Sequence, residues 1–412
     1  MQDTIFYIII WLFIFEFILS KTLDYLNTLN WSTKLPDELK NIYDEKKYSK
    51  SMEYEKTKHI FWTISWGFSF LVMLLVLIFG WFGYLYDSIS IFINNEIYRT
   101  LIFFWIIMLF QTILSIPFSY YSTFVIEEKF GFNKMTKKLF FIDTIKSLFL
   151  SVIIWWILIS LITWLYLKTW WMFWIYTWWV VTFFSVFMMM FYSSLIVPLF
   201  NKQTPLEEWE LRTEIEKFAN NVWFKLDNIY VIDWSKRSSK ANAYFSWFGP
   251  KKRIVLYDTL IKDLSVDELV WVLAHEIGHY KRKHTLQMLV FWTIQTWIML
   301  YILWLALSLP EISQALWAKE WSFAVWIVAF WILYTPISIF FWLLWNILSR
   351  KNEYEADEFA WINHNPENLK NALIKLSRNN LSNLRPHPAY EYFNYSHPTV
   401  LKRLNTLDKI KK

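Results

Sequence analysis

The sequence predicts a mostly α-helical protein with seven transmembrane helices and one small α+β domain outside the membrane. The composition is one reason, because 56% of the 412 residues are hydrophobic and only 18% are charged, unlike an ordinary soluble domain. A second reason is the presence of seven long apolar runs, each able to cross about 30 Å of hydrocarbon as a helix. The third is a single long polar segment, 200–285, in which short strand-like runs lie between helical ones.

The N-terminal region, residues 1–199, contains five of the predicted spans. They lie near 4–20, 60–86, 100–121, 144–167 and 172–199, and polar loops occupy 21–59 and 122–143. The first apolar run has neither a basic start nor a small-residue cleavage site. It is therefore predicted to be a membrane span rather than a signal peptide.

The segment 200–285 is predicted to be the main extramembrane unit. Pro205 is expected to open a helix that continues to about Val222, and another helix is expected from about residue 266. Between them, short runs of strand-forming residues predict β-strands at 229–233, 243–245 and 253–257. Two further spans are expected within 286–348, near 286–308 and 322–348, and residues 349–412 form a polar tail.

The distribution of lysine and arginine predicts which side of the membrane each loop faces. Basic residues are concentrated in the loops before the second and fourth spans, in the 200–285 segment and in the tail. The alternate loops carry one basic residue each. By the positive-inside rule, the basic segments face the cytoplasm, and the absence of cysteine agrees with a reducing compartment. The formal charge of +6 follows largely from this bias, and so no nucleic-acid partner is predicted.

The strongest indication of chemistry is the sequence His-Glu-Ile-Gly-His at residues 275–279. On a helix, His275 and His279 lie one turn apart on the same face, where both imidazoles can bind one metal ion. Glu276 is rotated by about 100° from His275, and so it can reach a water beside the metal without ligating it. The alternative is a pair of solvated helix residues. The apolar residues within the helix and the charges at its two ends favour a buried helix instead.

A catalytic metal site of this type needs a third protein ligand and keeps its fourth position open. The chain contains no cysteine, so a glutamate on a helix is expected. Glu353, in the sequence Asn-Glu-Tyr-Glu-Ala-Asp, is the candidate. Two histidines, one glutamate and an open position favour Zn²⁺ over other divalent ions.

These motifs, with others along the chain, resemble those of the type I CAAX prenyl endopeptidases, a family of seven-span integral-membrane zinc proteases. The resemblance covers nearly the whole chain. It includes the first loop (Pro36 to Lys58), the run Thr123 to Thr136, Asn242-Ala-Tyr-Phe245, Arg253 to Leu260, the metal motif, Glu353 to Ala360, and Ser396-His-Pro398 followed by Arg403. Motifs this long and in this order are highly specific.

The resemblance implies that His275, His279 and Glu353 bind zinc, one ion per chain, and that Glu276 is the general base. It also implies that the seven helices enclose a large water-filled chamber with the catalytic site at its cytoplasmic end.

Further residues are expected to support the chemistry. His397 or Arg403, in the family-like motif of the tail, is expected to donate to the oxyanion of the tetrahedral intermediate. Helix capping or loop anchoring is the alternative for His397. Asp357, one turn after Glu353, is expected to accept a hydrogen bond from a ligand histidine, and its alternative is a salt bridge to Arg350. The remaining histidines of this half are interpreted as ordinary surface residues: His284, His364 and His387.

The predicted strand near the metal helix has an expected use. An extended peptide can pair with the free edge of a strand, which would hold the scissile bond in register. Asn242, Ala243 and Tyr244 are the candidates for this substrate-binding strand. The alternative is that the strands only pack the domain.

The glycine and tryptophan contents depart from the family pattern. The chain has 6 Gly and 29 Trp, although ordinary usage would give roughly 29 Gly. Trp209, Trp223, Trp234 and Trp247 occupy positions where the resembling family carries glycine, and a positive φ is expected at Trp234. The hypothesis is that such residues are encoded by UGA and read as glycine in the source organism, as in some bacterial lineages.

The predicted function is that of a membrane-embedded zinc endopeptidase resembling those that cleave near the C-terminus of prenylated proteins. Its expected partners are a peptide or protein substrate, lipid-modified or membrane-anchored, and the lipid bilayer. The expected location is a bacterial inner membrane, with the catalytic site on the cytoplasmic side. Two alternatives are a heat-shock-type metalloprotease for membrane-protein quality control and a non-catalytic membrane scaffold.

Overall fold

The computed structural model describes residues 1–410 except Thr33, Asn41, Asp227, 247–252 and 364–365. Its N-terminal part is helical: α1 (Gln2–Leu29), α2 (Glu45–Ile78), α3 (Trp81–Phe92), α4 (Glu96–Tyr121), α5 (Glu128–Phe130), α6 (Lys137–Thr169), α7 (Phe173–Phe191) and α8 (Val197–Phe200). The C-terminal part adds four short strands, described below, and these helices: α9 (Glu210–Asn221), α10 (Asp258–Asp263), α11 (Val266–Lys281), α12 (His284–Ala306), α13 (Glu311–Gln314), α14 (Phe323–Leu333), α15 (Thr335–Asn363), α16 (Pro366–Asn379), α17 (Pro388–Asn394) and α18 (Val400–Leu407).

Within the described residues, six helices are long and apolar enough to cross a membrane, and a bent pair raises the number to seven. The six are α1, α2, α4 continued into α5, α6, α7 continued into α8, and α12. The bent pair is α14 and α15, which meet at 56° where the sequence showed one apolar run. The apolar run near 60–86 is also divided, because α2 ends at Ile78 and Gly80, with φ of 66°, precedes α3. The predicted class, a helical protein with six to seven spans and a small sheet, is confirmed.

The extramembrane unit contains a four-stranded sheet. Its strands are β1 (Gln203–Pro205), β2 (Asn228–Ile232), β3 (Ala243–Ser246) and β4 (Arg253–Tyr257), in the order β1-β2-β4-β3. β2 and β4 are parallel, and the other two pairs are antiparallel. The helix expected from Pro205 begins instead at Glu210, and Pro205 ends an edge strand, where its missing N–H costs no ladder hydrogen bond.

Two large hydrophobic cores and one small cluster around Tyr54 lie within the described residues. One core lies between the sheet and helices α9, α11 and α16, and Trp271 and Ile254 are fully buried in it. The other joins the membrane helices around Phe103 and Trp326. Helix α15 connects the two regions, because it begins beside the membrane core and contributes Trp361 to the extramembrane core. The residues in the middle of α15 therefore lie at the boundary between membrane and domain.

The backbone separates the unusual tryptophans into different classes. Trp223 follows α9 with φ of 53° and is 91% exposed, and Trp317 has φ of 69°. This left-handed region favours glycine, because a Cβ there is strained. Trp209, by contrast, is extended, with φ of −148°. The positive φ expected at Trp234 is wrong, since that residue opens a 3₁₀ turn instead. Trp247 lies outside the described residues.

Candidate metal centre

Helix α11 carries the His-Glu-Ile-Gly-His motif and is fixed at its start by a capping box. Ser265 accepts a hydrogen bond from the Glu268 amide, and the Glu268 carboxylate accepts one from the Ser265 amide at 2.8 Å. Glu268 is also paired with Lys375 of α16 at 2.8 Å. These contacts and the buried apolar face of α11 hold the motif in the extramembrane core.

Gly278 allows α11 to approach α15 closely. A Cβ built on Gly278 would lie 3.0 Å from the carbonyl oxygen of Ala356, 3.1 Å from its Cα and 3.2 Å from the Cβ of Phe359. Two of these three atoms belong to backbone, which cannot move without moving the helix. The glycine within the motif thus brings the histidines of α11 against the acidic residues of α15.

Three side chains from these two helices converge on one point. The Nε2 atoms of His275 and His279 are 3.1 Å apart, and the carboxylate oxygens of Glu353 lie 3.5 Å and 3.3 Å from them. Two ligands bound tetrahedrally at 2.0–2.1 Å are separated by about 3.3 Å. The three groups therefore fit the spacing of a tetrahedral zinc site, and their chemistry is the two-histidine, one-glutamate set of catalytic zinc.

The second nitrogen of His275 faces a buried ion pair. Its Nδ1 lies 2.9 Å from Asp357, and Asp357 accepts two hydrogen bonds from Arg403, at 2.8 Å from Nε and 2.5 Å from Nη2. Arg403 also lies 3.5 Å from Glu353. The alternative partner of Asp357, Arg350, is wrong, because Arg350 donates to the carbonyl oxygen of Tyr395. Asp357 thus contacts both the histidine and an arginine brought from the tail.

The second nitrogen of His279 also has a partner, which the sequence interpretation missed. His284 was expected on the surface, but it is only 3% exposed, and its Nδ1 lies 3.0 Å from Nδ1 of His279. Its Nε2 lies 3.0 Å from Glu355. His284 opens the membrane helix α12, and the sharp turn from α11 at Lys283, with φ of 59°, returns it to the site. His387 is half-buried and caps α17, and His364 lies outside the described residues.

Glu276 lies beside this cluster without ligating geometry. Burial and the nearby carboxylate of Glu353 raise its pKa, His275 and Arg403 lower it, and together these effects raise it to about 7. Burial would lower the pKa of His275, but Asp357 and Glu353 raise it to about 10, so the two carboxylates favour a positive charge at this place. The cluster thus combines a preference for a cation with a carboxyl group poised to exchange a proton near neutrality.

His397 approaches the cluster from the open side. Its Nε2 lies 3.3 Å from Glu353, while its side chain is 63% exposed. The other ring nitrogen is 2.9 Å from the hydroxyl of Ser396. The side chain of His397 is therefore accessible from outside the site. Arg403, the other candidate from the tail, is buried, with 12% of its side chain exposed.

The candidate substrate strand is an edge of the sheet. Tyr257 donates its amide to the carbonyl of Asn242, and the next pair in the register is Ala243 with Leu256. Because antiparallel ladders alternate, the backbone groups of Ala243 point away from β4. Its N–H donates to the side chain of Asn242 at 2.9 Å. Tyr244 is anchored, because its hydroxyl hydrogen-bonds Ser193 at 3.1 Å and accepts from Gln203 at 3.0 Å.

Family models match almost the entire chain in two parts. The model described as "CAAX prenyl protease N-terminal, five membrane helices" matches residues 24–202. The model described as "Peptidase family M48" matches residues 205–411, which contain all the residues of the metal centre. The boundary between the two falls at the start of the sheet.

Curated proteins and a solved structure are similar over nearly their full lengths. CAAX prenyl protease 1 of Saccharomyces cerevisiae is 33% identical over 92% of this chain and 89% of its own length. The CAAX prenyl protease 1 homolog of Arabidopsis thaliana is 35% identical over 99% of this chain and 97% of its own. The crystal structure of S. mikatae Ste24p superposes with a TM-score of 0.92 at 32% identity, covering 98% of this chain and 99% of that one.

Proposed function

Because this chain belongs to the CAAX prenyl protease family of M48 peptidases and is therefore a membrane metalloendopeptidase, we propose that His275, His279 and Glu353 bind one catalytic Zn²⁺ ion. The observation that carries the proposal is the 3.1–3.5 Å spacing of the two Nε2 atoms and the two oxygens of the Glu353 carboxylate. The zinc dependence of M48 peptidases in general supports it. A bound zinc ion would polarise the scissile carbonyl and lower the pKa of a water toward 7.

Glu276 is the proposed general base. It takes a proton from the attacking water and gives it to the leaving amine. Its burial suits both steps, because desolvation favours the protonated form and so strengthens the carboxylate as a base. Its position one residue after His275 supports this role, since the helix rotates it toward where a metal-bound water would lie and away from a ligand position.

His397 is the proposed donor to the oxyanion. Of His397 and Arg403, His397 is the one exposed on the open side of the site, 3.3 Å from Glu353. Arg403 is occupied by Asp357 and Glu353, and so its proposed role is to hold these two carboxylates in place. An N–H donor aimed at the developing charge stabilises the transition state by about 3 kcal/mol.

The free edge of β3 is the proposed binding place for an extended peptide. The outward C=O of Ala243, and its N–H in place of the hydrogen bond to the Asn242 side chain, would pair with the substrate backbone, and the Tyr244 anchor would fix the strand.

We also propose a water-filled chamber between the spans. In each of the six spans formed by continuous helices, 6–17% of the most apolar segment is buried, so most of each segment faces lipid or the space between the spans. A cavity of about 430 Å³ between α4 and α6 is lined by hydroxyls that include Thr112, Ser115 and Ser147.

The proposed substrates are peptides or protein tails whose C-terminal region carries a prenylated cysteine, as the names of the relatives indicate.

The proposed location of the site is the cytoplasmic face of a bacterial inner membrane. The basic loops before the second and fourth spans support the cytoplasmic side. The left-handed Trp223 and Trp317 support the recoded-glycine hypothesis from which the bacterial source was inferred.

Cleavage of matched peptides by the purified chain tests the proposal. One C-terminal peptide is prepared with and without a farnesyl group, and Glu276→Gln serves as the control that keeps shape and metal ligands. Zinc-dependent cleavage of the farnesylated peptide alone, lost in Glu276→Gln, is expected. Equal cleavage of both peptides would refute the requirement for prenylation, and undiminished cleavage by Glu276→Gln would refute the base.

A further inference from the structure

A chain of polar side chains continues from the metal centre beyond His279. Nδ1 of His279 lies 3.0 Å from Nδ1 of His284, and Nε2 of His284 lies 3.0 Å from Glu355. His284 is almost fully buried, whereas the Glu355 side chain is 34% exposed. This row of polar side chains therefore leads from a proposed metal ligand to the protein surface through one buried imidazole.

Only one assignment of protons satisfies all three groups when Nε2 of His279 binds a metal. A neutral imidazole carries one proton, and a nitrogen that ligates a metal must present its lone pair. The proton of His279 is then on Nδ1, so Nδ1 of His284 must accept a hydrogen bond from this N–H. The proton of His284 is then on Nε2, where it is donated to the carboxylate of Glu355. The opposite tautomer of His284 would set two N–H groups against each other and a lone pair against a carboxylate.

We propose that His284 and Glu355 are positioning residues that fix the tautomer and the ring orientation of His279 as a metal ligand. The inference rests on the proposed function, because it requires His279 to bind the metal. It gives the two histidine ligands equivalent support: His275 is held by Asp357 directly, and His279 is held by Glu355 through His284.

The backbone supplies independent support for this role. Lys283 connects α11 to α12 with φ of 59°, a conformation that is strained for a residue with a Cβ. This turn places His284 at the first position of a membrane helix and also against His279. The position of the metal motif is therefore linked to the start of α12.

The test uses the full-length protein in detergent and measures zinc affinity by competition with a chelator. His284→Ala removes both contacts, whereas His284→Asn retains an acceptor close to the former Nδ1 position. Glu355→Ala removes the outer partner. Glu358→Ala is the matched control, because Glu358 lies on the same helix but pairs with Arg282 on the surface.

Zinc affinity is expected to fall 10- to 100-fold in His284→Ala and by a smaller factor in His284→Asn and Glu355→Ala, and to stay unchanged in Glu358→Ala. The absorption spectrum of the cobalt-substituted protein is expected to shift in His284→Ala, which a general loss of stability would not produce. Affinity equal to that of the wild type in His284→Ala and Glu355→Ala would overturn the inference alone. If His284→Ala does not fold, Glu355→Ala decides, since its side chain is partly exposed. A wild-type chain that binds no zinc would overturn the proposed function itself.

Discussion

Replacement of Gly278 by alanine tests whether the close approach of α11 to α15 sets the metal centre. The added Cβ would lie 3.0 Å from the carbonyl oxygen of Ala356, whereas ordinary contacts begin at 3.4 Å. The two helices must therefore separate by about 0.4 Å, because the opposing atoms belong largely to backbone. Overpacking of this kind costs about 1–3 kcal/mol, offset by up to about 1 kcal/mol of gained helix propensity.

The separation also moves the two histidines of α11 away from Glu353 of α15. A misplacement of about 1 Å can cost 100-fold in rate, so a displacement of about 0.4 Å is expected to lower kcat/KM by roughly 10-fold. Zinc affinity, kcat/KM and the melting temperature in detergent are compared with those of Gly67→Ala. That glycine lies in α2 with no atom within 4 Å of an added Cβ, so the control gains helix propensity without a clash. Identical zinc affinity and kcat/KM in both variants would refute the reasoning.

Three further predictions concern the backbone, the substrate strand and the buried ion pair. Trp223→Gly should raise the free energy of unfolding by about 0.5–1 kcal/mol, because it removes the strain of a positive φ at an exposed side chain that contributes no packing. Trp223→Ala keeps a Cβ and should not raise the free energy of unfolding measured with denaturant. Ala243→Pro should lower kcat/KM about 10-fold, because it removes an N–H that makes no hydrogen bond to β4. Ala243→Ser, which keeps the N–H, should retain activity. Equal values of kcat/KM in the two variants would exclude strand pairing at this residue. Asp357→Ala should destabilise the fold by about 3–5 kcal/mol in thermal unfolding, because it leaves the buried charge of Arg403 without its main partner. Glu358→Ala, at an exposed pair, should change stability by less than about 1 kcal/mol, and similar losses in both variants would contradict the argument.

The repeated, local features of the chain were predictable from its sequence. Long apolar runs specify membrane helices, because hydrocarbon forces every backbone group into intrahelical hydrogen bonds. The spacing of His275 and His279 places them on one helix face by geometry alone. The strands at 229–233, 243–245 and 253–257 were predicted within one residue of their observed bounds, since runs of β-branched and aromatic residues between turns favour strands.

Contacts between distant segments depended on the tertiary structure. Residues 127 or more positions apart in sequence meet where Arg403 approaches His275 and Glu276, and no local pattern encodes that meeting. Asp357 paired with Arg403 rather than with the helical neighbour Arg350, because the tail folds back onto α15.

The sequence by itself determined the class of protein, the two histidines and the glutamate beside them, because composition and helical periodicity act over a few residues. Only the tertiary structure decided the environment of each ligand. His284 resembled a surface residue at a helix end, and it became part of the site because the left-handed turn at Lys283 directs α12 back toward His279. Such a result depends on how two helices meet, which is set by packing between elements and by single backbone conformations rather than by the order of residues within either helix.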